Sequence, residues 1–390
     1  MITSQDEFKV IINGLLKKRF STLAEKIMES SQLLQYLDLK TRSANKGAKA
    51  RGSFANLYAI YVIVEDYLNR GFNHDSGYSK YEGAEFSKLF KRQRELPFGA
   101  KLQNHALNNR VNSEFQKFFP TIDYVPILRN LETNRYWINE NLLNVKIDDK
   151  TSINIAEVVI EIIDTYSKTK KDAFEAFIQT CIKLQEIQNK NSDEVEKFIL
   201  GLLAPNVDAR LFEIVSYAIL RFFYHNQKIY WGFEKTKLNE DNLKLYKTGR
   251  TNANDGGIDF VMRPLGRFFQ VTETVDVKKY FLDIDKIQRY PITFVVKSTD
   301  TKEGILKAIR SNADKIYSIN AIVNKYMSCI EEVINIESLV TCFKEAVNQG
   351  HLSKILDEIV LQSKVEFNYS DQQTFSDIVS EEESGDEEVC

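Results

Sequence analysis

The stretch from Leu245 to Glu273, LYKTGRTNANDGGIDFVMRPLGRFFQVTE, constrains this chain more than any other. Gly249 to Gly257 is rich in Gly, Asn and Asp, the residues that tolerate turn geometry. Ile258 to Arg263 is a short apolar run interrupted by one acid, Asp259. Pro264 to Gly266 supplies a second turn, and Arg267 to Thr272 a second apolar run that carries Gln270. The pattern predicts a β-hairpin. Side chains alternate faces along a strand, so Gln270 and Thr272 share one face and Phe269 and Val271 the other. Asp259 likewise lies on the opposite face from Ile258 and Phe260. Closing the hairpin brings Asp259 toward the polar pair, an oxygen-rich arrangement suited to a small Mg²⁺ site.

The flanking segments extend the pattern. RLFEIVSYAILRFFYHN reads as an amphipathic helix. QKIYWGFE and LKLYKTG read as strands, VKKYFLDIDKIQ as a helix and PITFVVKST as a buried strand. Element order and residue pattern agree, which is what a foldable core requires.

This stretch resembles the nuclease core of the PD-(D/E)XK superfamily. The similarity is greatest to the Mrr-like variant, where a Gly-Ile-Asp strand is followed by Gln-x-Lys. The matching residues are Gly257-Ile258-Asp259 and Gln270-Val271-Thr272, over roughly Arg210 to Ser298. The resemblance implies Mg²⁺ as cofactor, with Asp259, Gln270, the Val271 backbone carbonyl and a helix-borne Glu213 as its ligands. It implies Glu213, Asp259 and Gln270 as catalytic positions, with Thr272 standing where the family has lysine. A threonine hydroxyl can hydrogen bond but carries no positive charge. Either a lysine from elsewhere reaches in, Lys297 or Lys247, or the site is inactive. Glu273 falls on the other face of a regular strand and is not counted as a ligand.

A chain of 390 residues has room for two or three domains. The expected fold class is α+β: a large, mostly helical N-terminal region, a restriction-endonuclease-like mixed β-sheet core flanked by helices, and a helical C-terminal segment. Residues 1–200 are read as a helical DNA-recognition region, 201–310 as the nuclease core and 311–374 as C-terminal helices. Residues 375–390 read as an acidic disordered tail. Within the first region FANLYAIYVIVEDYL reads as a strongly apolar helix or a buried helical hairpin. NLETNRYWINENLLNV reads as an irregular contact region, and Ser192 or Asp193 as the cap of SDEVEKFILGLL.

Net charge is −3, but the final ten residues, EEESGDEEVC, hold six acids and no base. Basic residues concentrate in two runs. KTRSANKGAKARGS, residues 40–53, holds five basic residues, two glycines and no acid. KLFKRQRELPFGAKLQNHALNNR, residues 88–110, holds six Lys/Arg against one Glu. Each is read as a solvated loop or as a DNA contact, in which Lys/Arg neutralise phosphates and Asn, Gln and Arg read base edges. The contact reading names Arg42, Lys46, Lys49, Arg51, Lys91, Arg92, Arg94 and Lys101.

No run is long and apolar enough for a membrane span. Cys181, Cys329, Cys342 and Cys390 are scattered, as are the four histidines, so neither type forms a metal motif. With no signal-peptide pattern at the N-terminus, the expectation is a cytoplasmic protein without a membrane partner. The implied activity is Mg²⁺-dependent, sequence-specific cleavage of double-stranded DNA, as by a type II restriction endonuclease acting as a homodimer. A modification-dependent Mrr-like endonuclease and a DNA-binding protein with a degenerate core are the alternatives.

Overall fold

The computed structural model describes residues 7–42, 50–74, 76–100, 102–148, 151–188, 190–248, 258–273 and 275–367. The protein is a mixed α+β molecule of two units, Met1–Ala176 and Phe177–Cys390. The division falls inside one long helix, ahead of the boundary expected near residue 200.

The first unit contains helices α1 (Glu7–Phe20), α2 (Ala24–Ser30), α3 (Gln32–Arg42) and α4 (Ala50–Asn69). Strand β1 (Ala84–Glu85) and helices α5 (Phe86–Glu95) and α6 (Val111–Phe118) follow. Then come β2 (Ile127–Asn130), β3 (Arg135–Ile138), β4 (Asn144–Lys146) and β5 (Ser152–Asn154), and the start of α7 (Ala156–Ile187). Every residue from Phe54 to Val64 is buried, so α4 is the core of this unit. A helix apolar on all sides is stable only when surrounded. FANLYAIYVIVEDYL is thus one helix, not a hairpin. The stretch read as irregular near Trp137 is instead a β-hairpin: β3 pairs with both β1 and β2, and Tyr136 and Ile138 point inward. The Asn130 side chain stabilises its turn by accepting from the Glu132 and Thr133 N–H groups.

The second unit begins with the rest of α7 and with α8 (Ser192–Gly201), whose cap is Asn191 rather than Ser192 or Asp193. Helix α9 (Ala209–His225) is capped by Asp208. Strands β6 (Lys228–Trp231), β7 (Asn239–Asn242), β8 (Lys244–Lys247), β9 (Phe260–Arg263) and β10 (Arg267–Thr272) come next. Helix α10 (Val277–Lys286) and β11 (Ile292–Val296) follow, then α11 (Lys302–Ile316) and α12 (Asn320–Met327). The described chain ends with β12 (Ile330–Ile334), α13 (Ile336–Asn348) and α14 (Leu352–Phe367).

Five strands form one mixed sheet in the order β12-β11-β10-β9-β8. The β12–β11–β10 run is parallel, and β9 is antiparallel to both of its neighbours. β11, ITFVV, is buried throughout, as a central strand covered on both faces must be. Phe269 and Val295 face a core shared with α9, α13 and α14, while Phe294 and Val296 face one shared with α10 and α11.

Two element assignments need correction. The segment ending in CIEEVI is not continuous helix: Ile330–Ile334 adds the edge strand β12. Its two adjacent glutamates and partial exposure hide the strand pattern. The QKIYWGFE strand, β6, pairs only with β7 in a separate two-stranded sheet and does not join the main one.

Candidate functional site

The predicted hairpin is present: β9 and β10 flank a turn at Pro264–Gly266, where Gly266 takes a positive φ of 69°. Only glycine adopts that conformation without strain. Gln270 and Thr272 are both buried, and strand alternation puts them with Phe268 on the α10 face.

Asp259 sits one residue before β9, where the ladder opens. Its N–H donates to the Phe269 carbonyl at 3.0 Å, while its Oδ2 accepts from the Val271 N–H at 2.7 Å. The Thr248 N–H, at the end of β8, donates to the Asp259 carbonyl at 3.1 Å. The acid is therefore pinned from both neighbouring strands by backbone geometry. Burial, and then the Glu213 carboxylate, push the Asp259 carboxyl well above the usual carboxylate range. The Val271 N–H, Lys279 and Lys247 oppose that rise without cancelling it.

Glu213, in the first turns of α9, is buried and pairs with Lys247 at 3.1 Å. Two carboxylates thus act on each other at the open end of the sheet. Gln270 donates from Nε2 to the Val271 carbonyl at 3.3 Å, while its buried Oε1 has no hydrogen-bond partner among the described residues. An orphaned buried oxygen costs about 1–3 kcal/mol, and such an atom calls for a missing partner.

Lys297 does not reach Thr272 with its side chain. Its backbone N–H donates to the Thr272 carbonyl, but its amine is held by Glu273 at 2.7 Å and by the Val207 carbonyl. It also lies 5.9 Å from the Phe212 ring centre, on the α9 face with Val295. Alternation on β11 explains this: Lys297 is two residues from Val295 and shares its side. The lysine beside Thr272 is Lys279 of α10, whose Nζ is 3.5 Å from the Thr272 Oγ1. Sequence reasoning missed it, since VKKYFLDIDKIQ gives a helix but not the rotation at which that helix meets the sheet.

Of the basic residues named as DNA contacts, Lys46, Lys49, Lys101 and the Arg51 side chain lie outside the described residues. Arg42 pairs with Asp38. Arg92 makes a two-pronged pair with Glu65, both bonds at 2.8 Å. Arg94 donates to the Ala100 carbonyl and lies over the Phe90 ring. Lys91 is exposed on α5.

Among the described residues no group of three or more His, Cys, Asp or Glu is placed to hold a metal. Among the described residues, the oxygen donors available to a cation here are two carboxylates and neutral oxygens. Among the described residues no helix is long and apolar enough to cross a membrane. No protein-family model, curated protein or solved structure matches this chain.

Proposed function

We propose that the second unit is the core of a Mg²⁺-dependent endonuclease that cuts double-stranded DNA in a sequence-specific manner. The observation that carries this reading is the Asp259 corner. An acid pinned by two strands lies within electrostatic reach of a second acid, and the Gln270 amide oxygen on the adjoining strand has no hydrogen-bond partner among the described residues. The order of elements from α9 to β11, with the sheet strands β8, β9, β10 and β11, supports it.

The donor set suits a hard divalent cation, which prefers oxygen and retains water in its shell. Asp259, Glu213, the Gln270 Oε1 and the Val271 carbonyl would hold it. Bound there, Mg²⁺ would supply a polarised phosphate and an acidified water. The chain's own part is positional. Val271 and Thr248 fix the Asp259 backbone and carboxylate, Lys247 holds Glu213, and β10 presents Gln270. In the hydrolysis itself a water oxygen bonds to phosphorus, one ester P–O bond breaks, and the leaving oxygen takes up a proton. Cutting both strands needs two such centres, so the acting species is proposed to be a homodimer.

The test is incubation of the full chain with plasmid and genomic DNA, with Mg²⁺ or with EDTA. Discrete fragments with Mg²⁺ alone, sharing an end sequence, are expected. Cutting confined to methylated DNA would favour the modification-dependent form. The neutral Thr272 favours one further reading, a DNA-binding protein with a degenerate core. A gel shift without cutting under any of these conditions would establish that reading instead.

A further inference from the structure

On the nuclease reading above, an anionic phosphate meets two carboxylates at this corner, and some positive group must balance the charge. Among the described residues three lysines are candidates. Lys297 is committed to Glu273 and Val207, with its side chain only 3% exposed. Lys247 is committed to Glu213 at 3.1 Å and is 11% exposed. Lys279 differs from both: it is exposed, and among the described residues the contact its amine makes is with the neutral hydroxyl of Thr272.

We propose that Lys279 supplies the positive charge that stabilises the reacting phosphate, approaching from α10 across Thr272. Lys279 stands in the first turn of α10, just after the Asp276 cap, with its amine in reach of the Thr272 hydroxyl. The Thr272 hydroxyl anchors the amine without neutralising it.

The test uses the full chain in four forms: wild type, Lys279→Met, Lys279→Arg, and Thr272→Lys combined with Lys279→Met. Cleavage is measured in single turnover with Mg²⁺, and DNA affinity with Ca²⁺ replacing it. Lys279→Met should slow cleavage by at least about 10²-fold, the scale for loss of one aimed electrostatic donor. Its melting temperature and its DNA affinity should stay at wild-type values. Lys279→Arg should retain most of the rate, and the double variant should recover much of it. Wild-type cleavage by Lys279→Met, or equal loss in the Met and Arg forms, would overturn the assignment while leaving the nuclease reading intact. Absence of cutting by the wild type on any DNA would overturn the nuclease reading and this assignment together.

Discussion

Two charged regions of this molecule are built on opposite rules. In the first unit a cavity of about 180 Å³ is lined by Glu65, Asp66, Arg70, Glu85, Arg92 and Arg135. Each acid there has a base: Arg92 with Glu65 at 2.8 Å, Arg70 with Asp66 at 3.1 Å, Arg135 with Glu85 at 3.9 Å. At the Asp259 corner Glu213 is paired with Lys247 yet still raises the buried Asp259 carboxyl, and the Gln270 amide oxygen has no partner among the described residues. Balanced charge holds a fold together at little gain per exposed pair. Unbalanced buried charge destabilises, and persists where a ligand or a reaction needs it. On the proposed reading the first region is structural and the second chemical.

The largest expected effect lies at Asp259. Asp259→Ala should lower cleavage by more than about 10³-fold, as loss of a metal ligand removes both water activation and charge stabilisation. DNA affinity should be retained. The sharper variant is Asp259→Asn, which keeps the shape and removes the charge that burial and Glu213 disfavour. It should abolish cleavage and raise the melting temperature. Mg²⁺ should raise the melting temperature of the wild type and not that of Asp259→Asn. A destabilised Asp259→Asn protein that still cuts would erase the distinction between the two regions.

The counterpart in the first unit is Glu65→Gln. It leaves the Arg92 guanidinium facing a neutral amide in place of a two-pronged carboxylate pair. Because Arg92 is about two-fifths exposed, solvent takes over part of its role. The expected cost is about 1 kcal/mol of stability. Cleavage in Mg²⁺ should be unchanged. A Glu65→Gln enzyme that melts normally but loses DNA affinity would move Arg92 from structure to recognition.

The hairpin was legible because its signals are local. Glycines and a proline bracket two short apolar runs, and alternation alone puts Gln270 and Thr272 on one face. Asp259 follows from the same pattern. The position of Glu213 came from the family resemblance, and the structure does place it within electrostatic reach of Asp259. Three things were not legible. Strand β12 lies at a sheet edge with only Val333 and Ile334 buried, so IEEVI carries no clear two-residue period. The sides taken by Lys297 and Lys279 depend on the register between β10 and β11 and on the rotation of α10. Both are tertiary quantities, and no spacing within the sequence encodes them. The pairing of Arg92 with Glu65 joins α5 to α4, 27 residues apart, so a run that reads as basic in sequence is partly neutral in space.

The smallest expected effect tests whether imbalance of charge always marks function. His351 is buried where α13 turns into α14, and its Nδ1 has no hydrogen-bond partner among the described residues. Its Nε2 lies 3.1 Å from the Asn226 amide, and the His225 ring is 5.9 Å away. Burial first, then Lys354 and His225, lower its pKa below the ordinary histidine value. A base whose pKa is depressed on folding binds its proton more readily unfolded. Its contribution to stability is therefore complete above the unfolded value, near pH 6.5, and declines as the pH falls through and below it. The wild-type melting temperature should drop on acidification over that window, and His351→Gln should flatten the drop by a few degrees at most. Cleavage measured at neutral pH should not change in that variant, because His351 is neutral there and this end of α9 is the one remote from Glu213. A loss of cleavage in a stably folded His351→Gln protein would show that unbalanced charge elsewhere in this unit also serves the reaction.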